Sequence, residues 1–323
     1  MNRVNESANK RIIELSCTAL ATLCLAMPVS AADWYVRPAG GSYGLEDGSS
    51  YSNAWDGFAN VDWGTVGAGD TVYVAGTFSE GSLVVSSGGA ISNELWIRGD
   101  YPLEAGVLTT GNLLTDATNS SYITFYGLTL QNGHVDQQRV LEFDPVGSNL
   151  TFVAPNKIRD GDKGFIAAGI RAGQWIQTGY GPSNTNRGVY VVESVTDQGA
   201  YEEITVVQNE WTLYDVEDEG PGYWRFEVYW PASHMTVDHC TISNPSTSRD
   251  NVVWRGDYWT VRNSELDGQG LDRHGLLYFR TYTLATIPRG MRILDNYLHD
   301  SGSTNALKDN HAIGIQPAHD LVI

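Results

Sequence analysis

The chain repeats an eight-residue pattern, first as Met235-Thr-Val-Asp-His-Cys-Thr-Ile242, then as Trp259-Thr-Val-Arg-Asn-Ser-Glu-Leu266 and as Met291-Arg-Ile-Leu-Asp-Asn-Tyr-Leu298. Each copy begins with a large apolar residue, has a β-branched residue at its third position and an aliphatic residue at its eighth. Apolar residues at alternating positions predict a strand with one buried face. The copies therefore predict a stack of similar strands.

The spacing of the copies predicts a solenoid. A fourth copy begins at Leu321, so the late copies start at positions 235, 259, 291 and 321, and an earlier copy runs from Ile123 to Leu130. Repeats of roughly 20–50 residues are typical of solenoids, in which each repeat buries its apolar face against its neighbours. A second strand series lies between the copies: Asn251–Trp254, His274–Phe279 and His311–Ile315. We predict an all-β parallel β-helix with at least two strands per turn. We expect it to be right-handed, because parallel crossovers overwhelmingly are.

The N-terminal segment 1–31 has the pattern of a secretory signal peptide. Arg3, Lys10 and Arg11 precede the apolar run Leu15–Met27, and Val29-Ser-Ala31 supplies small residues at a cleavage position. This pattern predicts cleavage after Ala31 or Ala32 and a secreted protein, either extracellular or periplasmic. The apolar run is too short for a membrane span, which needs about 20 residues. The exported chain keeps one cysteine, Cys240, whose place in the repeat predicts a buried core thiol.

The charge balance limits the partners. The chain has 20 Lys and Arg against 38 Asp and Glu, with a formal net charge of −18. Non-specific nucleic-acid binding needs a basic surface, so no nucleic-acid partner is predicted. Residues 249–311 differ, since eight basic residues balance eight acidic ones there. This neutral segment is where an anionic glycan meets least repulsion.

Three further segments resemble a known group of proteins. They are DWYVRPAGGSYGLEDGSSYSNAW from Asp33, GDTVYVAGTF from Gly69 and ELWIRGD from Glu94. Together with the late repeats, they resemble secreted right-handed parallel β-helix proteins of the pectin-lyase-like superfamily. The resemblance covers nearly all of the exported chain outside one insertion. It implies a polysaccharide partner and either a lyase or a glycoside hydrolase activity.

The gap between repeat copies predicts the domain organisation. The copies that start at Ile123 and Met235 are separated by several times the late spacing, and the sequence between them does not repeat. Short strand patterns with Gly and Asn turns predict a small all-β barrel or sandwich over residues 149–220. We expect an N-terminal cap and the first coils over 32–148, and continuing coils over 221–323. Because the last copy stops at its third position, we expect further coils beyond Ile323 in the full-length gene product.

Three similar entries into the second strand series suggest a metal site. They read Asp250-Asn-Val-Val, Asp272-Arg-His-Gly and Asp309-Asn-His-Ala. If these strands stack in register, the three aspartates form a ladder with rungs about 4.8 Å apart. Stacked carboxylates repel unless a cation or proton intervenes, so Asp250, Asp272 and Asp309 are predicted ligands of Ca²⁺. The alternative is structural, because aspartates often cap solenoid corners.

The same alignment supplies candidate catalytic groups. It places Val252, His274 and His311 on one level. A polyuronate lyase removes the proton α to a carboxylate and needs a base and a positive group. The predicted catalytic residues are His274, Arg280, Lys308 and His311, and the predicted substrate-binding residues are Arg255 and Arg273.

Two other functions stay open at this point. A hydrolase of the polygalacturonase type is disfavoured, because the chain lacks the Asn-Thr-Asp, Asp-Asp and Arg-x-Lys elements of that family. A non-catalytic adhesin or a virion-like surface protein would bind glycans through tryptophan and tyrosine side chains. Of these functions, a lyase acting on an acidic glycan is the favoured prediction.

Overall fold

The computed structural model describes residues 31–116, 120–137, 141–143, 149–179, 186, 188–207, 216–220, 225–230, 232–244, 251–254, 256–269, 275–279, 289–301, 311–314 and 321–323. Except for Ala31, the predicted signal peptide lies outside these residues. The first part contains eleven strands: β1 (Asp33–Arg37), β2 (Trp55–Asp56), β3 (Thr71–Val74), β4 (Gly76–Phe78), β5 (Leu83–Val85), β6 (Leu95–Arg98), β7 (Gly106–Leu108), β8 (Leu113–Thr115), β9 (Ile123–Tyr126), β10 (Thr129–Leu130) and β11 (Val135–Gln137). Short 3₁₀ helices lie at Tyr51–Asn53 and Phe58–Asn60.

The remaining strands form two groups. The first group is β12 (Leu141–Phe143), β13 (Leu150–Val153), β14 (Lys157–Asp160), β15 (Trp175–Gly179), β16 (Gly188–Asp197), β17 (Glu202–Val207) and β18 (Arg225–Tyr229). The second group is β19 (Met235–Asp238), β20 (Thr241–Ser243), β21 (Val252–Trp254), β22 (Thr260–Arg262), β23 (Glu265–Asp267), β24 (Gly275–Phe279), β25 (Arg292–Leu294), β26 (Tyr297–His299) and β27 (His311–Gly314).

The chain folds as an all-β parallel β-helix with three sheets. Sheet A has the order β2-β1-β3-β6-β9-β19-β22-β25, sheet B the order β4-β7-β10-β20-β23-β26, and sheet C the order β5-β8-β11-β21-β24-β27. All pairs within these sheets are parallel, as between β9 and β19. The prediction of a parallel β-helix is confirmed, while its handedness stays a prediction.

Each coil has three strands, because the eight-residue pattern bends in its middle. In the copy that starts at Met235, β19 ends at Asp238, His239 adopts φ = 52°, and β20 begins at Thr241. Asn263 and Asp295 have φ values of 50° and 53° at the equivalent corners. Interpreting each copy as one strand was therefore wrong. A left-handed residue, which Asn and Asp tolerate better than most residues, splits the copy into a sheet A strand and a sheet B strand.

Side chains of equal depth stack along the inside of the β-helix. The inward columns are Val72, Ile97, Phe125, Val237, Val261 and Ile293 in sheet A; Phe78, Leu108, Leu130, Ile242, Leu266 and Leu298 in sheet B; and Leu83, Leu113, Val135, Val252, Leu277 and Ile313 in sheet C. They belong to one continuous core. Cys240 lies in this core as a free thiol, and burial raises its pKa to about 12.

The corner between sheets A and B is stabilised by a buried carboxylate. Asp238 accepts hydrogen bonds from Arg262 Nε at 2.9 Å, from Asn263 Nδ2 at 2.9 Å and from His239 Nδ1 at 2.6 Å. Its side chain is only 5% exposed, yet its pKa lies below the usual value, because these donors outweigh the cost of burial. The contacts tie two successive coils together at this corner.

Between β11 and β19, in the region where the insertion is predicted, the chain forms a separate antiparallel sheet. Its order is β12-β18-β15-β16-β17-β14-β13, and residues such as Ile176, Ile204 and Phe226 form its own core. The sheet includes β12 and β18, which lie on either side of residues 149–220, and the predicted domain limits stay a prediction. No coil is lost at the insertion, since β19, β20 and β21 pair directly with β9, β10 and β11.

The two ends of the described chain continue the same pattern. The short β2 pairs with β1 at the start of sheet A, and Trp55 and Phe58 pack into the core beside it. At the other end, Val322 forms a parallel bridge with Arg292, so the copy that begins at Leu321 adds to sheet A. Among the described residues, no helix has the length and apolar character needed to cross a membrane.

Candidate functional site

The residues predicted to act in catalysis fall mostly outside the described part of the chain. Eight of them lie there completely: Asp250, Arg255, Asp272, Arg273, His274, Arg280, Lys308 and Asp309. For the ninth, His311, the backbone is described as the first residue of β27. Their predicted roles stay predictions.

The predicted register of this strip was wrong, however. Gly275, and not His274, lies opposite His311, and Val252 lies opposite Leu277. The predicted alignment of these segments matched the polar pattern Asp-x-His. Burial instead selects the apolar positions Val252, Leu277 and Ile313, which stack in one column. A shift of even one residue in a strand moves each side chain to the other face.

A cluster of ionisable side chains lies on the outer face of sheet B in the last coils. The register places Ser243, Asp267 and His299 on one level, and Thr241, Glu265 and Tyr297 on the next. His299 Nε2 is 3.1 Å from Glu265 Oε1, and His299 Nδ1 is 2.9 Å from Asp300 Oδ2 and 3.8 Å from Asp267 Oδ1. We call Glu265, Asp267, His299 and Asp300 the acid–histidine cluster.

Neighbouring groups hold the cluster in place. Ser243 Oγ donates to Asp267 Oδ2 at 3.0 Å, and the backbone N–H of Gln269 donates to Asp267 Oδ1 at 2.7 Å. The ring of Tyr297 stacks on that of His299, with centroids 4.5 Å apart. Asp267 and His299 therefore have defined orientations while staying partly accessible to solvent.

The carboxylates favour the protonated form of the histidine. The hydrogen bond with Asp300 raises the pKa of His299 above its usual value of 6.5, and Glu265 and Asp267 act in the same direction. With His299 protonated and three carboxylates ionised, the cluster carries a formal charge of −2. Such a site attracts cations and repels an acidic ligand unless a cation lies between them.

The donor atoms of the cluster suit a divalent metal ion. One ligand atom each from Asp267, His299 and Asp300 lies within 4.8 Å of the others. Carboxylates suit Mn²⁺ and Ca²⁺, and imidazole suits Zn²⁺ and other transition metals. The mixed set therefore fits Zn²⁺ or Mn²⁺ better than the predicted Ca²⁺, which prefers oxygen ligands. Because the metal would replace a proton on His299, its affinity would fall at low pH.

The cluster adjoins the predicted strip along the chain. Asp272 follows Asp267 by five residues, and Lys308 follows Asp300 by eight. Both segments lead from a sheet B strand to the sheet C strand of the same coil, from β23 to β24 and from β26 to β27.

Sequence reasoning missed the cluster, although a signal for it exists. The repeat pattern was defined by the aliphatic residue at its eighth position, without the two residues beside it. In a strand, the residues on either side of an inward residue point outward. Glu265 and Asp267 flank Leu266 in this way, and Tyr297 and His299 flank Leu298.

A second surface, on the outer face of sheet A in the first coils, is rich in tyrosine. Tyr35, Tyr73, Arg98 and Tyr126 occupy successive rungs. The rings of Tyr35 and Tyr73 stack with centroids 5.3 Å apart, and Tyr101 packs edge-on against both. We call this group, together with Tyr51, the tyrosine stripe.

The arginines of this region are already paired. Arg98 forms a two-pronged contact with Asp100, at 2.9 Å and 2.6 Å, and lies over the ring of Tyr126. Beside the stripe, a cleft of about 460 Å³ contains Arg37, which contacts Glu104 at 3.4 Å. The stripe therefore offers ring faces and hydrogen-bonding groups without a surplus of positive charge.

Comparison of the sequence with protein-family models gave no match. Comparison with curated proteins gave none either.

Proposed function

We propose that this protein is exported and acts on a polysaccharide, as a lyase that cleaves an acidic, uronate-containing glycan by β-elimination. The proposal includes membership of the pectin-lyase-like superfamily. The observation that supports it best is the acid–histidine cluster, a cation-attracting site in the last coils. The segments that follow this cluster along the chain contain the proposed catalytic residues His274, Lys308 and His311.

The negative charge of the cluster gives it a role in the β-elimination, as the binding site of a cation. A uronate carboxylate is repelled by Glu265, Asp267 and Asp300 unless a cation bridges them. When bound, a divalent cation would neutralise the substrate carboxylate and make the α-proton more acidic. Asp267, His299 and Asp300 would hold this ion, and Ca²⁺ remains the ion proposed for Asp250, Asp272 and Asp309.

A different residue has to accept the α-proton. Both ring nitrogens of His299 face carboxylates, and in this proposal one of them would bind the ion, so His299 is not available as the base. We assign the base to Lys308, His274 or His311, because a neutral imidazole is the easier base at pH 7. Arg280, with Arg255 and Arg273, would bind the substrate carboxylates.

The test is an incubation with alginate, pectate, chondroitin sulfate and neutral glycans, with Ca²⁺, Mn²⁺ or a chelator. β-Elimination leaves an unsaturated sugar end that absorbs ultraviolet light, and we expect it from an acidic glycan only when a cation is present. We also expect its loss in His311→Ala or Lys308→Ala. New reducing ends without this absorbance would favour a hydrolase and contradict the lyase.

A second candidate function is glycan binding without cleavage, and the tyrosine stripe favours it. Aromatic ring faces and paired arginine–carboxylate groups suit the stacking and hydrogen bonding of sugars. Because its arginines are paired, the stripe fits a neutral glycan better than a uronate. Neighbouring rungs of the stripe are about 4.8 Å apart, so its four rungs span about 14 Å. A surface of this length is small for a stable protein–protein interface.

Electrophoresis in native gels containing xyloglucan, galactomannan or pectate tests this function. We expect a neutral glycan to retard the protein, and the double variant Tyr73→Phe/Tyr101→Phe, which keeps the rings and removes two hydroxyls, to be retarded less. Tyr201→Phe on the inserted sheet is the control, since Tyr201 packs against Arg159 far from the stripe in sequence. Equal mobility of the three proteins would rule out the stripe as the binding surface.

A further inference from the structure

The strongest unexplained feature outside these surfaces is the buried carboxylate of Asp70. This residue is only 4% exposed. Oδ1 accepts a hydrogen bond from the backbone nitrogen of Ala32 at 2.8 Å, and Oδ2 accepts from Trp34 Nε1 at 3.0 Å and from the backbone nitrogen of Gly67 at 2.9 Å. All three donors are neutral.

A buried charge normally has a counter-charge close by, because removing an ion from water is costly. No Lys, Arg or His among the described residues forms an ion pair with Asp70. Neutral N–H donors reduce the cost of burial but supply no positive charge. Within the described part of the chain, Asp70 therefore has no cationic partner. Its Oδ1 atom does, however, contact the main-chain nitrogen of Ala32.

That nitrogen belongs to the first residue after one of the two expected signal cleavage points. Cleavage after Ala31 would convert the amide nitrogen of Ala32 into a free α-ammonium group at the same place. Residue 32 is also held from its other side, because its carbonyl oxygen accepts a hydrogen bond from the backbone N–H of Thr71 at 2.8 Å. The side chain of Asp70 thus binds the backbone nitrogen of Ala32, and the backbone of Thr71 binds its carbonyl oxygen.

We infer that the bond between Ala31 and Ala32 is the processing site, and that the new α-ammonium group of Ala32 forms a buried ion pair with Asp70. Cleavage is a hydrolysis: water adds across the peptide bond, Ala31 leaves with the carboxylate and Ala32 with the amine, which takes up a proton. Removal of the leader then stabilises the first coil, where β1 pairs with β3. This inference rests on the proposed export of the protein and not on its activity.

The pair predicts a specific pH dependence. An α-amino group has a pKa of about 7.7–8.0 in an unfolded chain, and a buried carboxylate partner raises the folded-state value. The stabilisation is therefore present in full below about pH 7.7 and is lost as the pH rises through the raised folded-state pKa.

Two measurements test the inference. First, N-terminal sequencing of the exported protein should show a chain that begins at Ala32, and a start at Asp33 or an intact Met1 would overturn it. Second, a protein that begins at Ala32 is compared with one that has a single glycine added before Ala32, which moves the ammonium away and keeps Asp70.

At pH 7 we expect the glycine-extended protein to have an unfolding equilibrium constant about ten to a hundred times larger. This difference in the unfolding equilibrium constant should shrink towards pH 10. It should be absent when the unextended and the glycine-extended protein both carry Asp70→Asn. Equal stability of the extended and unextended proteins at pH 7, or a difference that Asp70→Asn leaves unchanged, would overturn the ion pair.

Discussion

His299 and Glu265 lie on neighbouring strands of sheet B, and His299 Nε2 is 3.1 Å from Glu265 Oε1. The other ring nitrogen of His299 faces Asp300, so both nitrogens of the ring have a carboxylate partner. This arrangement stabilises the imidazolium form and predicts how stability depends on pH.

His299→Gln should lower stability at acidic pH and have little effect at alkaline pH. The pKa of His299 is raised in the folded state, so its contribution is present in full below about pH 6.5 and is lost as the pH rises through the folded-state pKa. Since the contacts are partly exposed to solvent, we expect about 0.2–1 kcal/mol at pH 5.5. Urea unfolding of both proteins from pH 5.5 to 9 measures this. A difference that grows with pH would contradict the assignment.

His234 should show the opposite pH dependence. Its ring lies between those of Tyr122 and Tyr258, with centroids 4.2 Å and 4.7 Å away. Burial lowers the pKa of His234 below 6.5 and outweighs the nearby Asp257 and Glu94. Protonation therefore costs more in the folded state than in the unfolded chain, so stability falls as the pH drops below about 6.5.

The variant His234→Asn tests this effect, because asparagine tolerates the φ of 58° at this position. We expect the variant to lose less stability than the wild type between pH 7 and pH 5, as measured by thermal unfolding. Parallel pH profiles of the two proteins would show that His234 does not titrate as described.

Asp238→Asn should destabilise the corner between sheets A and B. The substitution keeps the shape of a buried side chain but removes the charge that accepts from Arg262, Asn263 and His239. Hydrogen bonds to charged groups contribute about 1.5–3 kcal/mol, so we expect a loss of this size in urea unfolding at pH 7. The control is Asp295→Asn at an exposed corner two coils later, where we expect a change within about 0.5 kcal/mol. Similar losses for both variants would argue against a special role of Asp238.

Gly133→Ala tests the close packing of successive coils. A Cβ atom at Gly133 would lie 1.8 Å from the backbone oxygen of Gly111, which cannot move without shifting a neighbouring coil. We expect a loss of about 3 kcal/mol or more, at the upper end for overpacking. Gly67→Ala is the control, since a Cβ there meets no atom within 4 Å. Denaturant midpoints that agree for the two variants would contradict the stacking at Gly133.

The sequence predicted the parts of the fold that depend on apolar periodicity. The copies that start at positions 235, 259 and 291 align with one another in the same way as the strands of sheet A, in which Val237, Val261 and Ile293 lie opposite one another. Because burial of these side chains determines both the sequence pattern and the strand register, the pattern was sufficient to predict how these strands stack. The bend at His239 was missed although it leaves a signal: Val237 and Ile242 both face the core but are five positions apart, so the alternation of inward residues shifts by one position at the corner.

The candidate site was less predictable, because polar residues do not determine strand register. The expected alignment of His274 with His311 relied on the pattern of polar residues. The actual strand pairing follows the stacked apolar residues Val252, Leu277 and Ile313. The acid–histidine cluster joins residues from two coils, Asp267 and His299, whose proximity follows only from the sheet B register.

The most direct test of the proposed lyase is the initial rate at which unsaturated sugar ends form from pectate or alginate, with Mn²⁺ or Ca²⁺ and with a chelator. We predict a cation-dependent rate for the wild type and for Asp295→Asn, and a rate at least about tenfold lower for Asp267→Asn at limiting cation. A rate that is unaffected by the chelator and by Asp267→Asn would contradict the role of the cluster. No unsaturated ends from any acidic glycan would contradict the lyase itself.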